Sequence, residues 1–463
     1  TFDASASSDD QDSIELLEVR WDFDADGSWD TSFSTQKIMQ HTYAAPGSYQ
    51  VAIEVRDSGG LSSQATLSEL ITVRDAGTNS GGTNGDTGGG NNGGSILADI
   101  DGDSNRDGTI TESDDTVEET WSPTSGVVFI SNLDDDDNDG LRDGLDSELN
   151  GLDDLQEMTE LVVRQIPDLS QDHTVEISVM PELARNYVRI FSAESPNNTS
   201  LLLQTEDAAA TIPNTALVSG DLTLYFEGII GRYGDFDGHV EVLLTVKSGG
   251  QVVSSDSIAL RGAPIIFSDH TQPGTRFFLM RIPNSQANDS NLSFYNDVQD
   301  NLPSSIEFFS IRAAEYGYDR WVQDNMQTGY TQKPGPNGTI STKLHLETQR
   351  SQYPGDQGGL VPFLTTELLD SDLGYVYPQG AGTSLNYGGN LEVAPPHNAN
   401  GKSYPFGRIV YGGGNEGLLE GYQYVDRMND NQLSFLNAQE IQGPAIEVSS
   451  EWLAVGHIDE IFL

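Results

Sequence analysis

Trp452-Leu-Ala-Val-Gly-His-Ile-Asp-Glu460 sets His457, Asp459 and Glu460 inside an otherwise apolar run. Ionisable groups are costly to bury unless they are paired or put to use. Read as a strand over Trp452 to Phe462, the run places His457 and Asp459 on one face, because side chains two apart point the same way. An imidazole and a carboxylate on one face can hold a cationic group and move its proton. A His-x-Asp pair alone is more often structural, so its meaning depends on the rest of the chain.

Two further segments bear on it. In Gly317-Tyr-Asp319-Arg320-Trp321-Val322-Gln323-Asp324-Asn325-Met326, an indole lies three residues before a carboxylate. That pair suits a long side chain with a cationic head such as arginine: the ring packs the stem and the carboxylate holds the guanidinium. A lone Trp is more often core. The second segment is Leu385-Asn386-Tyr387-Gly388-Gly389-Asn390-Leu391-Glu392-Val393-Ala394-Pro395-Pro396, a further stretch with potential chemistry.

These segments lie in an α/β stretch from about 263 to 463, with a short apolar run at Ile265-Ile266-Phe267 and helices expected over Ser293–Leu302 and Asp430–Ala438. Residues 95–262 carry short strands such as Val127–Ile130 and Val240–Val246, with one helical-looking stretch near Leu152 to Leu161; they read as a β-sandwich with long acidic loops. Residues 75–94 are Gly/Asn/Thr-rich with almost no apolar content, the composition of a flexible linker. Residues 1–74 alternate apolar and polar in runs such as Glu15–Trp21 and Tyr49–Val55, divided by turn signals, the pattern of an all-β sandwich.

The chain has 463 residues and a formal charge of −50, from 72 acidic and 22 basic residues. That field repels nucleic acid and anionic membrane and attracts cations and basic substrates; solubility in salt is the bland explanation of it. There is no Cys, hence no disulfide, zinc-thiolate site or thiol nucleophile in these residues. No run approaches 18 apolar residues, so no membrane span is expected. No leader is visible, and Thr1 does not look like a natural start; a fragment or processed chain is the expectation.

Two acidic loops have calcium-type spacing. Asp103-Ser-Asn105-Arg-Asp107-Gly108 has Asp114 at its twelfth position, and Asp135-Asp-Asp137-Asn-Asp139-Gly140 is followed by Asp143 and Asp146. Oxygens at positions 1, 3 and 5, Gly at 6 and an acid at 12 follow the EF-hand loop rule, though with Asp in place of Glu at the end and no evident flanking helices. Asp99 and Asp101, leading into the first loop, are further candidate ligands. The bland alternative is a solvated acidic loop. Asp24-Ala-Asp26-Gly27 reads as an ordinary turn.

From about residue 95 onward the chain resembles the protein-arginine deiminases. The resemblance rests on an ordered set: Trp321-Val-Gln-Asp324-x-Met-x-x-Gly329-Tyr330, Asp372-Leu-Gly374-Tyr375-Val376, Asn390-Leu-Glu392-Val-x-Pro-Pro, Gly401-Lys-x-Tyr404-Pro405-x-Gly407-Arg408-Ile409 and Trp452-Leu-Ala-Val-Gly456-His457-x-Asp459-Glu460, with Leu155-Gln156-x-Met158 in the middle region. Residues 1–74 resemble a polycystic-kidney-disease (PKD) type Ig-like domain clipped at its front, on Trp21-Asp22-Phe23-Asp24, His41-Thr42-Tyr43 and Pro46-Gly47-Ser48-Tyr49. The implied architecture is β then α/β: a PKD-like Ig sandwich, a second Ig-like sandwich with calcium loops, and a truncated α/β-propeller (pentein) catalytic domain.

The resemblance implies calcium-dependent conversion of protein-bound arginine to citrulline with release of ammonia. Asp324 and Asp459 would clamp the guanidinium, His457 would be the general acid/base, and Trp321 would wall the arginine stem. Arg350 would hold the substrate backbone, on a looser alignment. Gln323 and Glu392 would belong to a calcium site beside the active site. A middle-domain calcium cluster would draw on Asn105, Asp107, Asp134, Asp137 and Asp139, with Asp372 reaching across.

The family's nucleophile is a Cys far beyond the Gly-His-x-Asp motif, and Asn325 and Gln327 stand where it has acidic ligands. A chain without Cys is therefore expected to lack citrulline-forming activity. The alternative is a secreted, calcium-stabilised binding or adhesion protein on a degenerate deiminase scaffold; an enzyme for free arginine or agmatine is disfavoured by the calcium loops. PKD-like modules are common in secreted bacterial enzymes, which favours an extracellular setting, whereas the mammalian deiminases are intracellular.

Overall fold

A computed structural model describes residues 2–462 apart from positions 6, 10, 11, 15, 26, 40, 42, 44–46, 67–70, 74–95, 112, 150, 196–197, 284–289, 349–358, 361, 379–382, 415–416, 420–421, 425–426, 451 and 454. The expected linker and Arg350 therefore fall outside the described residues. The chain divides into two compact units, Thr1–Thr87 and Gly88–Leu463. Among the described residues no helix is long and apolar enough to cross a membrane.

In the first unit, Glu18–Asp22, Ala52–Arg56 and Ser62–Thr66 form an antiparallel sheet. Alternation decides its register: Val19 and Trp21 point inward opposite Val55 and Ile53, and Arg20 pairs across with Glu54. Phe2, Val19, Trp21, Phe23 and Val51 make the core.

The second unit begins with two five-stranded sheets. One runs in the order Asn198–Leu203, Val188–Ser195, Leu222–Gly228, Thr159–Val163, Ile100–Gly102. The other runs Ala210–Ile212, His173–Met180, His239–Ser248, Gln251–Gly262, Val127–Phe129. Both contribute to one apolar cluster, including Ile100, Phe129, Leu161, Val175, Phe226 and Leu244. The stretch expected to be helical near Leu152–Leu161 is a helix only over Leu152–Glu157; Thr159–Val163 is a strand. Buried Thr159, Leu161 and Val163 alternate with outward Glu160 and Val162, and β-branched residues favour the pleated surface.

The C-terminal part is built from small mixed sheets. Met326–Gly335 and Gly338–Glu347 form a hairpin, and Leu373–Val376 joins it in parallel. Leu391–Ala394 pairs antiparallel with Arg408–Gly413, and Ile446–Ser449 joins in parallel. The same blade-like order thus occurs twice. A further parallel pair, Arg276–Arg281 with Glu307–Arg312, is bridged by the helix Leu292–Asn301. The second helix spans Asp430–Ala438, capped by Asn429 accepting from Gln432 N.

Candidate functional site

Asp324 lies on a four-residue helical turn, Val322–Asn325, just before the Met326–Gly335 strand. This turn meets the tight turn Gly388–Asn390 at a separation that no side chain tolerates. A Cβ on Gly388 would lie 2.1 Å from the Gln323 carbonyl oxygen. A Cβ on Gly389 would lie 2.7 Å from Asp324 Oδ1, 2.8 Å from Asp459 Oδ2 and 2.9 Å from His457 Nδ1. The three groups named from sequence therefore converge on one point above Gly389.

The segment carrying two of them is not the expected strand. The strand Ile446–Ser449 ends early, Gly456 takes φ 86°, and Ile458–Glu460 form a 3-10 turn. A left-handed φ breaks strand geometry, and only Gly adopts it freely. Glu460 accepts from His457 N at 3.3 Å and helps to close the turn. His457 and Asp459 are thus neighbours through a capped turn rather than through strand alternation.

Asn390 positions this turn. It is fully buried, donates to the Leu385 and Gly412 carbonyls at 2.8 and 2.9 Å, and accepts from Gly412 N and Ile458 N at 2.8 and 3.1 Å. Both donors and both acceptor sites of the amide are used. Asn390→Ala would strand these backbone groups in the interior, each costing about 1–3 kcal/mol. The expected loss is at least about 4 kcal/mol, read as a lower denaturation midpoint; an unchanged midpoint would contradict this role.

His457 Nε2 lies 2.9 Å from the Ser384 carbonyl, which can only accept, so Nε2 carries a proton. Nδ1 then faces Asp324 Oδ1 at 3.4 Å. Burial raises the pKa of Asp459; His457 pulls it down and the Asp324 charge pushes it up again. Two carboxylates beside one imidazole leave a net negative site, which suits a planar cation. Trp321 immediately precedes the Asp324 turn and is exposed, open to pack a ligand stem.

Glu392 borders a neighbouring cavity of about 790 Å³ that Gln323, His270, Asp370 and Asp372 also line. Gln323 Nε2 and Glu392 Oε1 are 3.5 Å apart, so the two expected calcium ligands are brought together. His270, which nothing in the sequence singled out, lies 2.8 Å from Glu392 Oε2. Burial raises Glu392's pKa, and His270 opposes the shift; an imidazole already faces this carboxylate.

The middle-region acids divide into three sets. In the first loop, Asp103 accepts from Gly108 N at 3.0 Å, Asn105 from Asp107 N at 2.9 Å and Asp107 from Thr109 N at 3.0 Å. Asp101 is not part of that set; its carboxylate meets Asp115 and Glu118. Asp99 is half-buried, and burial raises its pKa. In the second loop Asp135, Asp137 and Asp143 each present an oxygen within 4.8 Å of the others. Asp139 accepts from Leu141 N and Asp146 from Glu148 N, closing turns.

The third set centres on Asp134, which is fully buried with neither oxygen hydrogen-bonded. Asn132 Oδ1, Asp136 Oδ2 and Glu157 Oε2 are likewise buried without partners. Burial, with Glu157 alongside, pushes Asp134 up to about 10, and burial with Asp143 nearby pushes Asp136 to about 7. Buried Lys333 directs its ammonium to the Met158 carbonyl. Such a concentration of unpaired oxygens fits a hard cation. Asp372 is not itself brought into this set: its chain neighbours touch the region, Asp135 N bonding Asp370 O and Tyr375 N bonding Leu133 O, both at 3.2 Å, while the Asp372 side chain is exposed and lines the cavity beside Glu392. Sequence reading missed Asn132, Asp136, Asp154 and Glu157. The signal for the last two lay beside the quoted Leu155-Gln156-x-Met158.

Comparison with known proteins places most of the chain beside one family. Residues 252–463 match the family model of protein-arginine deiminase (PAD), residues 97–247 its middle-domain model, and residues 1–73 a PKD domain. The chain is 29% identical over 373 residues to protein-arginine deiminase type-1 of Homo sapiens, covering 77% of this chain and 53% of that protein. It is 30% identical over 359 residues to the human type-3 enzyme and 28% over 361 residues to the human type-4 enzyme, covering 73% and 74% of this chain and 50% of each relative. The chain thus spans about half the length of the curated relatives it matches.

Proposed function

We propose, from the membership of residues 97–463 in the protein-arginine deiminase family, that this chain supplies the guanidinium site and calcium framework of an enzyme converting peptidyl-arginine to peptidyl-citrulline. The observation that carries this reading is the convergence of Asp324, Asp459 and His457 above Gly389.

The reaction replaces one guanidinium nitrogen by water oxygen, leaving a ureido group and ammonia. Asp324 and Asp459 hold the guanidinium by charge-assisted hydrogen bonds, which are stronger than neutral ones and match its planar fork. His457 offers Nδ1 to the substrate because Nε2 is occupied by Ser384 O. From there it protonates the departing nitrogen and then draws a proton from the entering water. Trp321 packs the aliphatic stem. A thiolate nucleophile is not among these residues, since the sequence contains no Cys, and the 463 residues by themselves are expected to form no citrulline.

Calcium, when bound, neutralises buried carboxylates and fixes the segments bearing them. The Asn132, Asp134, Asp136 and Glu157 oxygens, the Asp135–Asp143 loop and the Gln323–Glu392 pair are its proposed ligands, with Asp372 contributing from the turn before the Leu373–Val376 strand. On this reading residues 95–262 are an Ig-like middle domain and 263–463 catalytic, joined through a linker at 75–94 to a PKD-type module of an extracellular protein.

Isothermal titration with a short arginyl peptide and its lysyl counterpart tests the proposal. Binding of the arginyl peptide in calcium, with the lysyl peptide at least about tenfold weaker, is expected. Equal binding of both would overturn it.

A further inference from the structure

The acids flanking the first loop form a group that neither the loop spacing nor the guanidinium site uses. Asp101 stands on the strand Ile100–Gly102, before the loop; Asp115 and Glu118 follow it. One ligand atom from each lies within 4.8 Å of the other two. Asp101 is 1% exposed and Glu118 4%. Asp101 Oδ1 and Glu118 Oε2 are buried with no hydrogen-bond partner.

The surroundings do not neutralise these groups. Arg164 binds the other oxygen of Asp101 and shares its guanidinium with Asp221. Asp256 adds a further half-buried acid nearby, with its carboxylate on Ile100 N at 2.8 Å. Burial, with the Asp256 and Asp101 charges, lifts Glu118 to about 10; burial and Asp99 lift Asp101 to about 7. A buried carboxylate without a donor or cation is strongly disfavoured.

The donors are held by backbone that does not depend on any ion. Asp101 pairs with Val162 in the sheet. Glu118 O accepts from Ala259 N at 2.8 Å. Asp115 lies in the turn Asp114–Thr116, whose first carboxylate accepts from Asn105 N and Thr111 N, each at 2.9 Å. Carboxylate oxygens without imidazole or thiolate select a hard cation.

We propose that Asp101, Asp115 and Glu118 form a separate binding site for a divalent cation of the calcium class, which clamps the two ends of the 103–114 loop. The site is distinct from the loop, where Asp103, Asn105 and Asp107 accept from the loop's own backbone, and from the Asp134 set. Its occupancy bears on the C-terminal part, because Gly108 of the loop packs against the Gly335–Pro336 turn.

Equilibrium dialysis with radioactive calcium on the full 463-residue chain, alongside melting curves in chelator, tests this. Glu118→Gln and Asp115→Asn are each expected to lower the calcium stoichiometry by one ion. Their melting temperatures in chelator should equal or exceed that of the wild type, because Asp115→Asn removes a charge, and Glu118→Gln a buried carboxyl, from a crowded acidic group. Unchanged stoichiometry and affinity in both variants would overturn the proposal. So would a lower melting temperature in chelator with full calcium binding, which would mark a structural role alone. The readout does not involve the guanidinium site, so it stands or falls independently of deiminase function.

Discussion

Asp324→Asn is expected to weaken binding of an arginyl peptide by about 10- to 100-fold while leaving the ligand-free protein no less stable. Hydrogen bonds to a charged partner contribute about 1.5–3 kcal/mol, which converts to that range of affinity. Asparagine keeps the shape but offers its fork one acceptor and one unwanted donor. The stability side has the opposite sign. Asp324 and Asp459 both face the Gly389 point, and the Asp324 charge is one of the causes that raise Asp459's pKa. Removing it relieves like-charge repulsion with Asp459 that His457 offsets in part. Asp459→Asn should behave in the same way. Titration calorimetry with melting curves checks both halves; a variant that lost stability but kept its affinity would show these carboxylates to be structural.

Calcium should stabilise the fold, with a pH dependence of characteristic sign. Asp134 and Asp136 have folded pKa values raised to about 10 and about 7, with burial the first cause, and Glu157 is also raised. For acids raised in this way the folded state binds more protons than the unfolded one. The stability they confer is full below about pH 4 and is lost as pH rises through the folded values. In chelator the melting temperature should therefore fall between about pH 5 and pH 9. Calcium needs the deprotonated oxygens, so its stabilising increment should grow over the same range. At a hundredfold excess over Kd that increment is about 2.7 kcal/mol for one site, or about 5–10 °C for a domain of this size. Melting curves at matched ionic strength separate the effect from general screening of the net charge. Parallel curves with and without calcium would contradict the assignment, and Asp134→Asn should shrink the gap.

Local signals carried well from sequence to structure. The helix at Asp430–Ala438 keeps its expected ends because Asn429 caps it, and Val240–Val246 lies within one long strand because its alternation fits a two-sheet core. Asp324 sits in one short motif and His457 and Asp459 share another, and the structure brings the three side chains together above Gly389.

What was not legible depended on contacts distant in sequence. Gly456's left-handed backbone turned an expected strand into a capped turn. The unpaired oxygens of Asn132, Asp136 and Glu157 become a cluster only after the helix Leu152–Glu157 packs beside residues 132–136. No periodicity in those segments encodes that meeting. Asn390 reads in sequence as one polar residue in a motif, and its four hydrogen bonds exist only once three segments have converged.

The central claim is that His457, Asp324 and Asp459 form one guanidinium site. Nuclear magnetic resonance of the histidine side chains tests it most directly, because the chain has only seven His. Titration with an arginyl peptide should shift the His457 ring signals saturably, the Nδ1 side above all, and the shift should be absent with a lysyl peptide and lost in Asp324→Asn. A His457 spectrum indifferent to the arginyl peptide, or one responding equally to lysine, would contradict the account.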